Sequence, residues 1–246
     1  MYREYPAPEE LAGLVECFWR SEFLEPGSDE TGVVLPDGRV DVIWTAGGPS
    51  LVAGPQKRSL PRPLQAPFVA IGARFHPGVG PPLLGLPAHQ LVDMHVPLAA
   101  IDARPAAALS QRLAALSDPS HVFGALNGAL AKLADRAEAV DALVRRATRL
   151  LDGPDTTVGH LAGELALSER QLQRRFRESV GYGPKTLQRI LRFRRFLVEL
   201  RRGRKRSGGL ARIAACTGYA DQAHMTRECG ELSGFSPVQL ERLWRA

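Results

Sequence analysis

The spacing of apolar residues changes character along this chain. Between residues 1 and 102, apolar residues come in short runs broken by Pro and Gly, and in VVLPDGRVDVIW (33–44) Val40, Val42 and Trp44 alternate against Asp41 and Ile43. Period-two spacing puts alternate side chains on opposite faces of a strand, so this stretch predicts two strands around a Pro-Asp-Gly turn. Leu51–Ala53 and FVAIGARF (68–75) are further strand candidates. Residues 1–117 are therefore expected to form a mainly β domain, an open barrel or sandwich. From about residue 105 alanine and leucine dominate, and Val140, Leu143, Val144, Ala147, Leu150 and Leu151 form one helical stripe. The expectation is an α+β chain of two domains, with a helical connector over 118–137 and an all-α domain over 138–246.

The second half repeats itself. VGYGPKTLQR (180–189) aligns with SGFSPVQLER (233–242) at an offset of 53, and Leu161-Ala162 aligns with Ile213-Ala214 at an offset of 52. Two copies exclude a solenoid, which needs three or more repeats, and indicate a duplicated motif. Each copy reads as a short helix, a tight turn and a second helix. Ser168 is a good N-cap with Gln171 completing a capping box, and Asp221 caps the equivalent helix. A glycine then closes each unit, and a proline opens the next helix. Two helix-turn-helix units are predicted, at about 158–180 and 210–230, joined by a linker helix over 184–202.

In SERQLQRRF (168–176), Leu172 and Phe176 share one face, while Arg170, Gln173, Arg174 and Arg177 occupy the opposite one. Arg can pair in two-pronged fashion with guanine and Gln with adenine in the major groove. The ordinary alternative is a solvated face. The linker sequence KTLQRILRFRRFLVELRRGRKR (185–206) carries, from 189 onward, eight arginines and one lysine against one glutamate. That density suits phosphate contacts, here assigned to Arg177, Arg189, Arg192, Arg195 and Arg201. A helix whose long side chains snorkel over a core is the alternative.

Charge favours the polyanion. Residues 1–137 hold 11 Lys/Arg and 14 Asp/Glu, whereas 138–246 hold 21 and 12, so net charges of −3 and +9 combine into the overall +6. Only the second half is built to meet nucleic acid. No signal-peptide pattern and no long apolar run appear, so a soluble cytoplasmic protein with no membrane partner is expected. Cys17, Cys216 and Cys229 lack metal-ligand spacing and are expected to be buried free thiols. No catalytic motif occurs, and no metal, cofactor or catalytic residue is assigned. Trp19, Asp41, Trp44, Arg74 and His76 lie near expected strand ends and are the candidate lining of an effector pocket. An enzyme with a fused DNA-binding domain and a sequence-independent nucleic-acid binder remain as rival classes.

Residues 138–246 resemble the DNA-binding domain of the AraC/XylS family of bacterial transcription regulators, through LAGELALSERQLQRRFRESVGYGP and IAACTGYADQAHMTRECGELSGFSP. The resemblance implies a seven-helix domain that binds double-stranded promoter DNA sequence-specifically. It implies base-reading roles for Arg170, Gln173 and Arg174 in the first unit, and for Gln222, Ala223, His224, Thr226 and Arg227 in the second. Cys229-Gly230 departs from the family pattern, so the second recognition helix is expected to be less firmly anchored and to end early. Ala223 cannot hydrogen-bond a base, so the first unit is expected to dominate specificity. LPDGRVDVIW and IGARFHPG resemble an amino-terminal domain found on some family members, which implies effector sensing or subunit pairing. A small-molecule effector, RNA polymerase and a second copy of the chain are the other candidate partners.

Overall fold

The computed structural model describes residues 1–23, 31–63, 67–135, 139–153, 156–202 and 209–243. Its first part is built on one antiparallel six-stranded sheet, ordered β1 (Tyr2–Pro6), β2 (Val15–Phe23), β7 (Phe68–Phe75), β4 (Val40–Thr45), β5 (Leu51–Ala53) and β8 (His95–Pro97). A separate two-stranded ribbon pairs β3 (Thr31–Val34) with β6 (Leu60–Pro63). The alternation in β4 works as expected: Val40, Val42 and Trp44 enter the main core, and Ile43 joins Cys17, Trp19 and Ala70 in a small cluster of its own.

The Pro-Asp-Gly corner turns the chain but does not close a hairpin. Asp37 accepts the Arg39 backbone N–H at 3.0 Å and Gly38 adopts φ +81°, yet β4 pairs on its two sides with β5 and β7, leaving no edge for β3. The expected barrel or sandwich is also replaced by a sheet whose core is completed by helices. Helix α1 (Gly80–Leu84) supplies Leu83 and Leu84, α2 (Arg104–Ala114) supplies Leu109 and Leu113, and α3 (Val122–Ala134) supplies Leu126 and Leu130. Within the expected helical connector, Val122–Ala134 is helical and packs as a wall of the first core. That core runs on to Val140, and the second begins at Val144.

Among the described residues seven helices follow: α4 (Ala142–Leu151), α5 (Val158–Glu164), α6 (Glu169–Ser179), α7 (Pro184–Arg202), α8 (Gly209–Cys216), α9 (Gln222–Ser233) and α10 (Pro237–Leu243). Sequence chemistry accounts for their starts. Asp141 caps α4 by accepting from the N–H groups of Leu143 and Val144, Thr157 caps α5, and Ser168 and Gln171 form the reciprocal capping box of α6. The apolar faces meet around α7, where Leu187, Ile190, Phe193 and Phe196 are fully buried.

The turn of each unit passes through the left-handed region at equivalent places, Ala166 (φ +51°) in the first and Gly218 (φ +84°) in the second. A Cβ is penalised there by roughly 1–2 kcal/mol, so the first unit carries strain that the second avoids. Ala166→Gly is expected to raise unfolding stability by about 1 kcal/mol, and Gly218→Ala to lower it by a similar amount, measured by chemical denaturation.

Candidate nucleic-acid interface

In the first unit Leu172 and Phe176 of α6 are buried, while Arg170, Gln173, Arg174 and Arg177 are all exposed. In the second unit Met225 and Cys229 of α9 are buried, and Gln222, Ala223, Thr226 and Arg227 are exposed. His224 is half-buried, its ring packed edge-on against Tyr219 at 5.3 Å. The Thr226 hydroxyl donates back to the Gln222 carbonyl at 2.9 Å. The apolar side of each helix is thus spent on the core and a polar side is left outward.

Helix α9 does not end early. It continues through Gly230 to Ser233 and closes on Gly234 at φ +76°. Two contacts offset the glycine penalty of roughly 1 kcal/mol. Cys229 is fully buried, with its Sγ 3.2 Å from the Phe235 carbonyl, and burial pushes its thiol up to about 11. In addition, Ser59 of the first domain donates its N–H to the Leu232 carbonyl and its hydroxyl to the Ser233 carbonyl, each at 2.8 Å. Two carbonyls at the end of α9 are therefore satisfied from outside the helix.

The linker arginines do something other than expected. Arg192 grips buried Glu228 of α9 with two bonds of 3.0 and 2.7 Å, and Arg189 adds a third at 2.9 Å while also reaching Glu231. Arg195 donates to the Asp152 carbonyl at 2.7 Å. Arg189, Arg192 and Arg195 are thus engaged by acceptors within the protein, because α7 packs against both α4 and α9. Arg177 and Arg201 are exposed, and residues 203–206 of the basic run lie outside the described residues. Burial works against the charge of Glu228, but the hydrogen bonds from Arg192 and Arg189 outweigh it and hold the carboxyl below its ordinary value.

Sequence reasoning missed Glu228, although the repeat contained a signal. At the offset of 53 it stands where the first unit has Arg175, which pairs with Asp141 at the start of α4. The same slot in both units is thus an ion-pair anchor, with its sign reversed.

The five pocket candidates of the first domain do not form one site. Asp41 accepts two bonds from Arg74, at 3.1 and 3.0 Å, and one from the Trp19 indole N–H at 3.0 Å. Trp44 belongs to the main core on the opposite sheet face, because it is an even number of residues from Val40 and Val42. His76 sits apart, with its Nε2 3.1 Å from the Ala12 carbonyl. Cys17 and Cys229 are buried, but Cys216 is exposed, contrary to expectation. Among the described residues no cluster of metal ligands occurs, and no helix is long and apolar enough to cross a membrane.

Two duplicated helix pairs with outward polar faces, joined by one buried helix, define a DNA-binding protein of the helix-turn-helix class. Residues 161–242 match the family model described as a helix-turn-helix domain, and residues 3–97 match a domain of unknown function, DUF6597. Residues 161–242 thus carry a helix-turn-helix DNA-binding domain. No curated protein matches the sequence. Among solved structures, the carboxy-terminal domain of AraT, a response regulator from Geobacillus stearothermophilus, is 23% identical over 42% of this chain and 86% of its own, with a TM-score of 0.38. ToxT from Vibrio cholerae is 10% identical over 92% of this chain and 97% of its own, with a TM-score of 0.48. ToxT bound to (E)-4-(8-methylnaphthalen-1-yl)but-3-enoic acid is 10% identical over 92% of this chain and 98% of its own, with a TM-score of 0.50.

Removing the charge of Glu228 leaves two arginines without their shared acid. Glu228→Gln is expected to cost about 3 kcal/mol in denaturant unfolding at neutral pH. Because the folded carboxyl titrates below its ordinary value of 4.5, its contribution is complete above that pH and fades as pH falls through the folded value. The gap between wild type and variant should therefore narrow only below about pH 4.5.

Proposed function

We propose that this regulator reads promoter DNA with both recognition helices and is controlled through its amino-terminal domain. The observation that carries the reading is the pair of exposed polar faces, Arg170, Gln173, Arg174 and Arg177 on α6 and Gln222, Ala223, Thr226 and Arg227 on α9, each backed by a buried apolar face. Arg174 and Gln173 offer two-pronged donors to bases, and the Ala223 methyl can touch thymine. The α9 face contributes fewer hydrogen-bonding groups, since the Thr226 hydroxyl is already engaged and His224 is half-buried. Specificity then rests mainly on α6. Arg177 and Arg201 serve as phosphate contacts, which position the protein without reading sequence. The protein works by recognition, not by covalent chemistry, and it acts in the cytoplasm, where promoter DNA lies.

Control through the first domain is supported by its contacts to both units. Ser59 caps the end of α9, while Gly181 after α6 packs so closely on the first domain that an added Cβ would lie 2.7 Å from Val92 and 3.1 Å from the Ala88 carbonyl. An effector that alters the first domain can therefore reach both recognition helices.

The test is selection of binding sites from a random duplex library with the full chain, followed by titration of the winner. Arg174→Ala should weaken that site by about 1–3 kcal/mol and relax its sequence preference, with a smaller loss for Arg227→Ala. If Arg227→Ala costs more, the ranking of the two units is wrong. If no sequence is enriched, the basic half holds only DNA backbone.

A further inference from the structure

Between the two domains lies a cavity of about 250 Å³ whose wall is unusually basic. Arg39 and His76 face it from the first domain, and Arg145, Arg149 and Arg194 from helices α4 and α7, with Asp152 as the one acid in the wall. Val79 and Leu191 provide apolar patches. The acids near it do not balance these cations. Glu16 pairs with both Arg39 and Arg194, joining the first domain to α7, and Asp152 stands 3.9 Å from Arg194. Arg145 is left on a neutral acceptor, donating to the Gly13 carbonyl at 2.7 Å, and exposed Arg149 has no acidic partner within 4 Å among the described residues. The surplus positive charge, half-buried at Arg145 and exposed at Arg149, is therefore concentrated at the mouth and rim of one concave site.

From this we infer that the cavity is an effector site for a small organic anion bearing a carboxylate or phosphate group. The anionic oxygens fit the forked donors of Arg145 and Arg149, and the remainder lies on Val79 and Leu191. A guanidinium matches two-oxygen anions in geometry as well as charge. The volume lies just below the roughly 300–1,000 Å³ of typical ligand sites, which suits a small metabolite rather than a long chain. Because the walls come from both domains, an occupant bridges them and adds its own contacts to the Glu16 link. The site lies along α4 and α7, so its occupancy bears on the helix that carries both recognition units. This inference deepens the proposed control by the first domain and rests on it.

The test is thermal denaturation of the full chain in rising inorganic phosphate or succinate, with sodium chloride at matched ionic strength as the baseline. A saturable rise in Tm is expected with at least one probe, and the responding probe tells phosphate from carboxylate chemistry. Exposed Arg149→Glu should weaken the apparent affinity about tenfold or more, the loss expected for one charge-assisted contact. Arg227→Ala, on the α9 face, should leave the response unchanged. No saturable shift with either probe, or a shift that Arg149→Glu does not alter, overturns the site, as does equal weakening by Arg227→Ala. DNA affinity measured on the same samples separates the two readings. Selective DNA binding without an anion response overturns this site alone, whereas an anion response without selective DNA binding overturns the regulator reading.

Discussion

Helix α7 is the constraint on which the rest of the structure depends. Its apolar side chains, among them Leu187, Ile190, Phe193 and Phe196, are buried, so the helix is fixed from within the second core. Its arginines then reach outward in different directions. Arg189 and Arg192 hold Glu228 of α9, Arg194 holds Glu16 of the first domain, and Arg195 holds the Asp152 carbonyl at the end of α4. A basic helix that would repel itself in isolation is thereby neutralised by acids and carbonyls from three neighbours. Removing α7 would separate the two recognition units and break the Arg194–Glu16 link to the first domain.

The duplicated units use this support unequally. The first is anchored by Arg175 on Asp141 and by the close docking of Gly181 on the first domain. The second inverts the charge of its anchor, Glu228, and takes its last helical carbonyl partners from Ser59. Duplication preserved the slot, and the partner across the slot decided the sign. The same logic explains how α9 tolerates Gly230: neighbouring Cys229 is fully buried and the helix end is capped from another domain.

Local chemistry made much of this legible in the sequence. The capping box at Ser168 and Gln171, the Asp221 cap, the glycine after each unit and the alternation in β4 all depend on residues within a few positions of one another. Long-range pairing was hidden. The Pro-Asp-Gly turn was visible, but nothing nearby shows that β3 joins β6 while β5 and β7 occupy the edges of β4. Arginine density in 189–206 suggested an external polyanion because the acids that answer it, Glu16 and Glu228, lie 178 and 36 residues from their partners Arg194 and Arg192. The five suspected pocket residues scattered for a related reason: Trp19, Asp41 and Arg74 satisfy one another, and Trp44 points to the other face of the sheet.

The hold of α7 on both recognition faces is expected to fix their register on DNA. Its most direct test is affinity for a selected site in which five base pairs, half a helical turn, are inserted between the two recognised blocks. A fixed α7 predicts that the insertion abolishes the contribution of the second block, leaving affinity near that of the first block alone, and that a ten-base-pair insertion does not restore it. Unchanged affinity across the spacing series would contradict the account, because it would mean that the two units move independently.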